Sequence, residues 1–507
     1  MGSPDFDFNG LFILDLANNH QGDVGHARRI IEECGRVVEH AGARAALKFQ
    51  LRQLGSFVHP DHQTGSSNKH IPRFLSTALT LDDYEQLSDA VCAAGLITMA
   101  TPFDEESVDL LDRLKIDVTK IASCSATDWP LLERVAMDNR PVVVSTGGLS
   151  LDDVDDLVSF FEHRRVQFAL MHCVAVYPTP DDQLQLGRID LLRARYPQVT
   201  IGFSTHEAPD ALGPVIAATA KGAELLERHV GIPMEKTPLN AYSSTPAQVD
   251  AWIRAAQSAR SMSCTQASPS AEAAEEASLA SLRRGVFASR DIADGEPVER
   301  ADIYFAMPAV EGGLTAGEWT KGIVARTAIE KDAPLVPATF AMPQANPKAV
   351  LFHAIHKVKA MLNEARIALP TDFRLEFSHH YGVDRFVEVG AVLIDCVNRD
   401  YCKKLIVQLP GQRHPLHYHK RKEETFQVLS GVMEAEVERK RRTLYPGDLL
   451  VVPQGVWHSF WTDTGLVFEE ISGTHYNDDS FYEDKRINAM ARSDRKTIVN
   501  QWGRHQM

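Results

Sequence analysis

The sequence predicts a multidomain chain: an α/β barrel of the TIM (β/α)8 type, then a small β-rich module, then a C-terminal β-barrel. Three observations lead there. The 507 residues exceed what one ordinary hydrophobic core supports, so two to four domains are expected. In the first half, short apolar runs alternate with longer amphipathic stretches. From about Thr371 the composition turns to short strands with frequent turns.

Composition narrows the functional class. The apolar fraction of 44% is that of a folded, water-compatible protein, and no apolar run is long enough to span a membrane. The opening MGSPDFDFNG lacks a basic region followed by an apolar stretch, so no signal peptide is expected. Seven scattered cysteines without a CxxC pair fit free thiols in a reducing cytoplasm. A net charge of -15 argues against nonspecific nucleic-acid binding. The basic run Arg439 to Arg442 reads as a solvated hairpin turn.

The eight runs of the barrel are LFILDLA (11–17), RAALKFQ (44–50), LITMATPF (96–103), VTKIASC (118–124), PVVVSTGG (141–148), QFALMHCV (167–174), VTIGFSTH (199–206) and LLERHVGI (225–232). Each has strand length and is mostly apolar on both faces, as a buried parallel strand should be. The intervals read as helices. HARRIIEECGRVVEHAG puts Ile30, Ile31, Cys34, Val37 and Val38 on one stripe and ends at Gly42. A doubly wound open sheet is the alternative, and no GxGxxG follows the first strand.

Each run ends in polar residues, at the barrel mouth where such folds build active sites. Asp15 and His20 follow the first strand. Lys48 and Gln50 close the second, Thr101 the third, Lys120 and Ser123 the fourth, Ser145 and Thr146 the fifth. Tyr177 follows the sixth, Ser204 and His206 close the seventh, and Glu227 and His229 lie in the eighth. Two lysines among hydroxyls suit a phosphorylated anion. Two histidines from adjacent strands can hold one divalent metal with open positions left over.

Eight stretches resemble, in order, the sialic acid (nonulosonic acid) synthase family: ANNHQGD, LKFQ, TPFDEESVDLL, KIASCSATDWPLL, VVVSTGG, HCVAVYPTP, GFSTH and ERHV. The resemblance implies condensation of phosphoenolpyruvate with an aldose. It implies that Lys48, Thr101, Lys120, Ser123, Ser145 and Ser204 hold phosphoenolpyruvate, and that His206 and His229 ligate manganese or magnesium. Asp15 stands where the family has a glutamate near metal and sugar, and Tyr177 would line the sugar site. Asp15, Lys48, Lys120, His206 and His229 would form the catalytic set.

SCTQASPSAEAAEEASLASLRR (263–284) reads as a linker, helical in its alanine-rich part. RRGVFASRDIADGEPV then resembles the opening of the antifreeze-like (SAF) domain of the same family, expected over 285–345. In the family this domain closes over a partner's sugar site, which implies a domain-swapped homodimer. Two departures stand out. Met307 occupies the place of an arginine that contacts the sugar's acyl group, and Asn240, in PLNAY, aligns with a sugar-binding aspartate. The expectation is an acceptor other than plain N-acetylmannosamine.

AVLFHAIHKVKAMLNEA (349–365) reads as a connecting helix within 346–368, followed by a metal-binding domain over 369–485 and a tail over 486–507. The domain resembles a cupin, a double-stranded β-helix. Gly411 is followed by five residues and His417-Tyr418-His419; four more lead to Glu424 and six to Gly431. A second element runs from Gly447 through Pro453-Gln454-Gly455 to His458. On a strand His417 and His419 share a face. With Glu424 and His458 they make a three-histidine, one-carboxylate set for zinc, manganese, iron or nickel. HYHKRKEETF is similar to cupins of the sugar ketol-isomerase kind, with Glu434 and Glu436 as candidate bases. Sugar isomerisation, sugar sensing without turnover and an oxidative metal site stay open. So does the competing class, a cupin isomerase or regulatory binding protein with a non-catalytic barrel.

Overall fold

The computed structural model describes residues 5–235, 237–263, 269–344 and 346–503, in two compact units, 1–269 and 270–507. In the first unit β1 (Leu11–Asp15), β2 (Arg44–Leu51), β3 (Ile97–Pro102), β4 (Val118–Ile121), β5 (Val142–Ser145), β6 (Phe168–Cys173), β7 (Thr200–Thr205) and β8 (Leu226–His229) close into one parallel barrel in sequential order. The closing pair sets Asp15 of β1 opposite His229 of β8. The TIM barrel read from the sequence is the fold observed, and every expected run contains its strand except the second, which β2 outruns by Leu51.

Period-two alternation divides the strand side chains between two cores. Leu11, Ile13, Ala46, Met99, Val118, Val143, Met171 and Leu225 fill the barrel interior. Phe12, Leu14, Leu47, Ala100 and Val144 face outward, onto the helices. Helix α1 (Val24–His40) buries Ile30, Ile31, Cys34 and Val38 there. Asp23 caps it by accepting from the His26 N–H, and Gly42 follows its end at φ +59°. Helix α2 (Pro246–Met262) starts with a Thr245–Gln248 capping box and sets Trp252 edge-on to Phe12, 5.3 Å between ring centroids.

The second unit opens with α3 (Pro269–Leu282), the alanine-rich part of the expected linker. Cys264 and the rest of 264–268 lie outside the described residues. The small β-rich module follows. Strand β9 (Gly285–Ala288) pairs antiparallel with β10 (Ile303–Ala306), and β11 (Val324–Ala325) with β12 (Phe340–Ala341). Val286, Ile292, Ile303, Ile323, Leu335 and Phe340 form its core.

Helix α4 (Pro347–Glu364) is more than a connection. Its Leu351, Ile355, Val358 and Leu362 share a core with Leu375, Phe377, Val392, Ile394 and Val407 of the sheet beyond it. That sheet has seven strands. In chain order they are β13 (Arg374–Ser378), β14 (Ala391–Asn398), β15 (Tyr401–Gln408), then, past β16 (His417–Tyr418), β17 (Glu424–Gly431). After β18 (Met433–Val437) and β19 (Lys440–Leu444) come β20 (Leu449–Val452), β21 (His458–Trp461), β22 (Leu466–Gly473), β23 (Phe481–Tyr482) and β24 (Lys496–Asn500). The order is β20-β17-β22-β15-β14-β13-β24 in one sheet and β19-β18-β21-β16-β23 in the other. Phe426, Val428, Met433, Ala435, Phe460 and Phe468 fill the space between them.

The expected tail needs correction. Lys496–Asn500 is an edge strand on β13, with buried Val499 opposite Leu375. Trp502 packs on Phe373, ring centroids 5.0 Å apart. A short strand among charges carries too little periodicity to be seen in sequence.

Candidate active site and metal centre

The alternation that builds the barrel interior also aims its polar residues. Two positions beyond Ile13, Ala46, Met99, Val118, Val143 and Leu225 stand Asp15, Lys48, Thr101, Lys120, Ser145 and Glu227, pointing inward at the C-terminal mouth. Gly202, two before Ser204, leaves room for Leu225: a Cβ there would lie 2.6 Å from Leu225 Cγ.

These side chains converge on Glu227. Lys48 Nζ lies 2.8 Å from its Oε1 and 3.1 Å from Asp15 Oδ2. Lys120 Nζ is 3.5 Å from Glu227 Oε2 and donates to Ser145 Oγ at 2.5 Å. Ser204 Oγ donates to Glu227 at 3.4 Å. All are buried. Burial disfavours the charged Lys48 ammonium, but Asp15 and Glu227 outweigh it and raise its pKa. For Lys120 burial prevails and the pKa is lowered. Burial would raise the Glu227 pKa, but Lys120 and Lys48 hold it below the usual carboxylate range. Thr101 Oγ1 is buried with no partner among the described residues, an available donor beside this cluster. Ser123 Oγ accepts from the Gly147 N–H at 3.0 Å, just beyond β5.

The two barrel histidines are neighbours, ring centroids 5.4 Å apart. His206 donates through Nδ1 to the Val174 carbonyl at 3.1 Å, which leaves Nε2 free to ligate. Burial, with His229 beside it, pushes its pKa down to about 3. Burial also lowers that of His229, whose Nδ1 is 3.4 Å from Asp15 Oδ2 and makes no hydrogen bond among the described residues. Two neutral imidazoles beside a carboxylate fit a divalent cation that keeps several positions for water or substrate. The Tyr177 ring is tilted against that of His206, centroids 4.2 Å apart, and is half exposed, so it lines the mouth. Asn240 accepts from the Tyr242 N–H at 3.1 Å, and the Tyr242 ring sits 5.2 Å from that of His229. Met307 is 55% exposed on the loop after β10, in the other unit.

The sequence reading placed Glu227 and Gln50 at the mouth without giving them a role, and did not name Tyr242. Glu227 joins both lysines. Gln50 donates to Asp15 at 3.2 Å and accepts from Arg52 at 3.1 Å. Tyr242 walls the histidine pair. The signal for Glu227 was present: Glu227 and His229 are polar at period two in an otherwise buried strand.

In the C-terminal domain His417, His419, Glu424 and His458 are all buried, with ligand atoms within 4.8 Å of one another. Among the described residues this is the one group of three or more that converges so. His417 pairs across strands with His458, ring centroids 4.1 Å apart. Glu424 reaches His419 Nε2 at 3.2 Å and His458 Nε2 at 3.0 Å. Each imidazole turns Nδ1 outward to a carbonyl: His417 to Pro415 at 3.0 Å, His458 to Val456 at 3.0 Å, and His419 to Asp479. That fixes the tautomer and aims three Nε2 lone pairs at one point. The Asp479 carboxylate accepts from the Lys420 and Arg421 N–H groups, holding the turn that carries His419. Lys422 bridges Glu424 at 2.5 Å and Glu470 at 2.7 Å. Burial would raise the Glu424 pKa, but Lys422 and His419 hold it well below the usual range. Glu434 and Glu436 are not bases for this site. They alternate with buried Met433 and Ala435, so they face outward, and Glu436 meets Arg441 at 3.4 Å.

The chain thus combines a closed βα barrel, with two buried lysines and two histidines at its mouth, and a double sheet in which three histidines and a glutamate converge. Residues 36–267 match the NeuB family and residues 405–468 the Cupin domain family. A solved spore coat polysaccharide biosynthesis protein E from Chromobacterium violaceum is 44% identical, with a TM-score of 0.61, covering 66% of this chain and 100% of that one. N-acetylneuraminate-9-phosphate synthase from Drosophila melanogaster is 34% identical over 43% of this chain and 59% of that protein. N,N'-diacetyllegionaminic acid synthase from Campylobacter jejuni is 25% identical over 60% of this chain and 92% of that protein. The chain belongs to the NeuB family. It spans about three fifths of the Drosophila synthase.

Proposed function

We propose that the barrel condenses phosphoenolpyruvate with an open-chain aldose, giving a 3-deoxy-2-keto sugar acid and phosphate. The observation that carries this is the buried convergence of Lys48 and Lys120 on Glu227, ringed by Ser145, Ser204 and Thr101 beside two neutral histidines. Lys120, less fully compensated than Lys48, offers its charge to the phosphate, with Ser145, Ser123, Ser204 and Thr101 as further donors. Lys48 holds the carboxylate while Asp15 and Glu227 keep its ammonium charged. His206 and His229 hold the divalent metal, manganese or magnesium, which supplies Lewis acidity at the aldehyde oxygen. Carbon 3 of phosphoenolpyruvate then bonds to the aldehyde carbon, water adds at carbon 2, and phosphate leaves from the tetrahedral intermediate. The lysines stabilise the anionic charge throughout. Tyr177 and Asn240 line the sugar side. The small β module reads as the SAF domain, which would bring Met307 to a partner's site in a domain-swapped homodimer. The test is phosphate release from phosphoenolpyruvate, manganese and a panel of aldoses: N-acetylmannosamine, mannose, arabinose and diacetamido-dideoxy hexoses. Release that needs one aldose supports the synthase and names the acceptor. N-acetylmannosamine as the best acceptor would overturn the expectation drawn from Met307 and Asn240.

The second site reads as a cupin metal centre that binds or isomerises a sugar, supported by four converging buried ligands. No helix among the described residues is long and apolar enough to cross a membrane, so nothing in them opposes a cytoplasmic biosynthetic role.

A further inference from the structure

The cavity above the cupin ligands, ≈ 40 Å³ and opening outward, is lined by three lysines, Lys404, Lys422 and Lys496, and by two carboxylates, Glu424 and Glu470. Their partners differ. Lys422 is held by both carboxylates. Lys496 pairs with Glu376, which also takes Arg492. Lys404 has neither arrangement. Its side chain is 3% exposed, yet its nearest anion, Asp395 Oδ1, is 3.7 Å away and it makes no hydrogen bond among the described residues. A buried ammonium left this way is costly unless something anionic completes it.

A second group shares the shortage. Both ring nitrogens of His475 are buried without a partner among the described residues. Burial first, then the charges of Lys404, Lys422 and Lys496, keeps that imidazole neutral. Ser378 and Ser480 add hydroxyls to the same lining. A neutral aldose can offer hydroxyls to Lys404 and His475, but it brings no charge to balance the Lys404 ammonium.

We infer that this cavity is built for an anionic sugar, whose oxygens meet the His417–His419–Glu424–His458 centre while a carboxylate or phosphate lies on Lys404 and His475. The inference rests on reading those four residues as a metal centre. It places the cupin's ligand among sugar acids or sugar phosphates. The product of a synthase that adds phosphoenolpyruvate to an aldose is such an acid, so the cupin can act after the barrel as well as before it.

The test is calorimetric binding of glucose, glucuronate and glucose 6-phosphate to the full chain, manganese-loaded and metal-stripped, with metal content measured separately. A His417→Ala/His419→Ala variant subtracts anion binding by the barrel. The expected result is at least tenfold tighter binding of one anionic probe than of glucose. Lys404→Gln removes that preference and Lys404→Arg restores most of it, with metal content unchanged. The better of glucuronate and glucose 6-phosphate tells carboxylate from phosphate. Equal affinity for all three probes overturns the inference. So does a Lys404→Gln loss shared equally by glucose, or the absence of cupin-dependent binding of any probe. Failure to take up metal sinks the metal-centre reading instead; the Lys404 dependence of anion binding is then read on metal-stripped protein.

Discussion

The barrel and cupin sites solve one problem, keeping charge in a dry interior, in opposite ways. At the barrel mouth Lys48, Lys120, Asp15 and Glu227 neutralise one another, and two imidazoles stand beside them without a third converging ligand. In the cupin four ligands already point at one place, each imidazole locked from behind by a carbonyl. The first arrangement suits a substrate that displaces internal ion pairs; the second is preorganised for an ion. The contrast teaches that counting histidines and carboxylates does not define a metal site. What separates the two is convergence: His206 has its Nδ1 tied to a carbonyl just as the cupin histidines do, but among the described residues only the cupin brings three imidazoles and a carboxylate to one place.

The largest effect that can break this comparison is on chemistry. Lys120→Ala should lower aldose-dependent phosphate release by about 10²-fold to 10³-fold, as losing a preorganised charge stabiliser does. Cupin metal content should be unchanged. Asp479→Ala should come next. It removes the acceptor of two N–H groups on the His419 turn, and metal affinity by competitive chelation should fall about 10-fold to 100-fold. Unchanged affinity would mean that the turn holds itself. Leu362→Ala probes the claim that α4 belongs to the cupin. The side chain is 3% exposed in the shared core, so urea denaturation should show a loss of about 2–5 kcal/mol. A loss near zero would return α4 to the role of a tether.

The smallest effect is on pH. His206 is pushed down to about 3 and His20 to about 4, in each case by burial first. A histidine whose folded pKa is depressed leaves the unfolded chain holding more protons below about 6.5. Stability is therefore whole above that pH and falls as the solution is acidified toward 4. Melting temperatures of metal-stripped protein from pH 8 to 4 should show the decline, and His20→Gln should flatten part of it. A curve level down to pH 5 would contradict the buried-neutral assignment.

The eight barrel strands were legible because parallel strands are buried on both faces, and an apolar run ending in a polar residue marks both the strand and the mouth. Asp15, Lys48, Lys120 and His229 followed from that pattern. The ligands His417, His419, Glu424 and His458 followed from the resemblance of their spacing to the cupin pattern. Their supports did not. Asp479 stands 59 residues from Lys420, Glu470 48 from Lys422, and Glu227 179 from Lys48. Periodicity tells which face a side chain takes, not which strand lies opposite. The strand in the expected tail was hidden for the same reason: its partner, β13, is 120 residues away between Glu376 and Lys496.

The account turns on whether the barrel works as a synthase. The direct measurement is phosphate release from phosphoenolpyruvate by the full-length protein with manganese and the aldose panel, alongside Lys120→Ala. The account predicts release that depends on a particular aldose and is lost in the variant. Release that ignores the aldose, or that Lys120→Ala leaves intact, would contradict it.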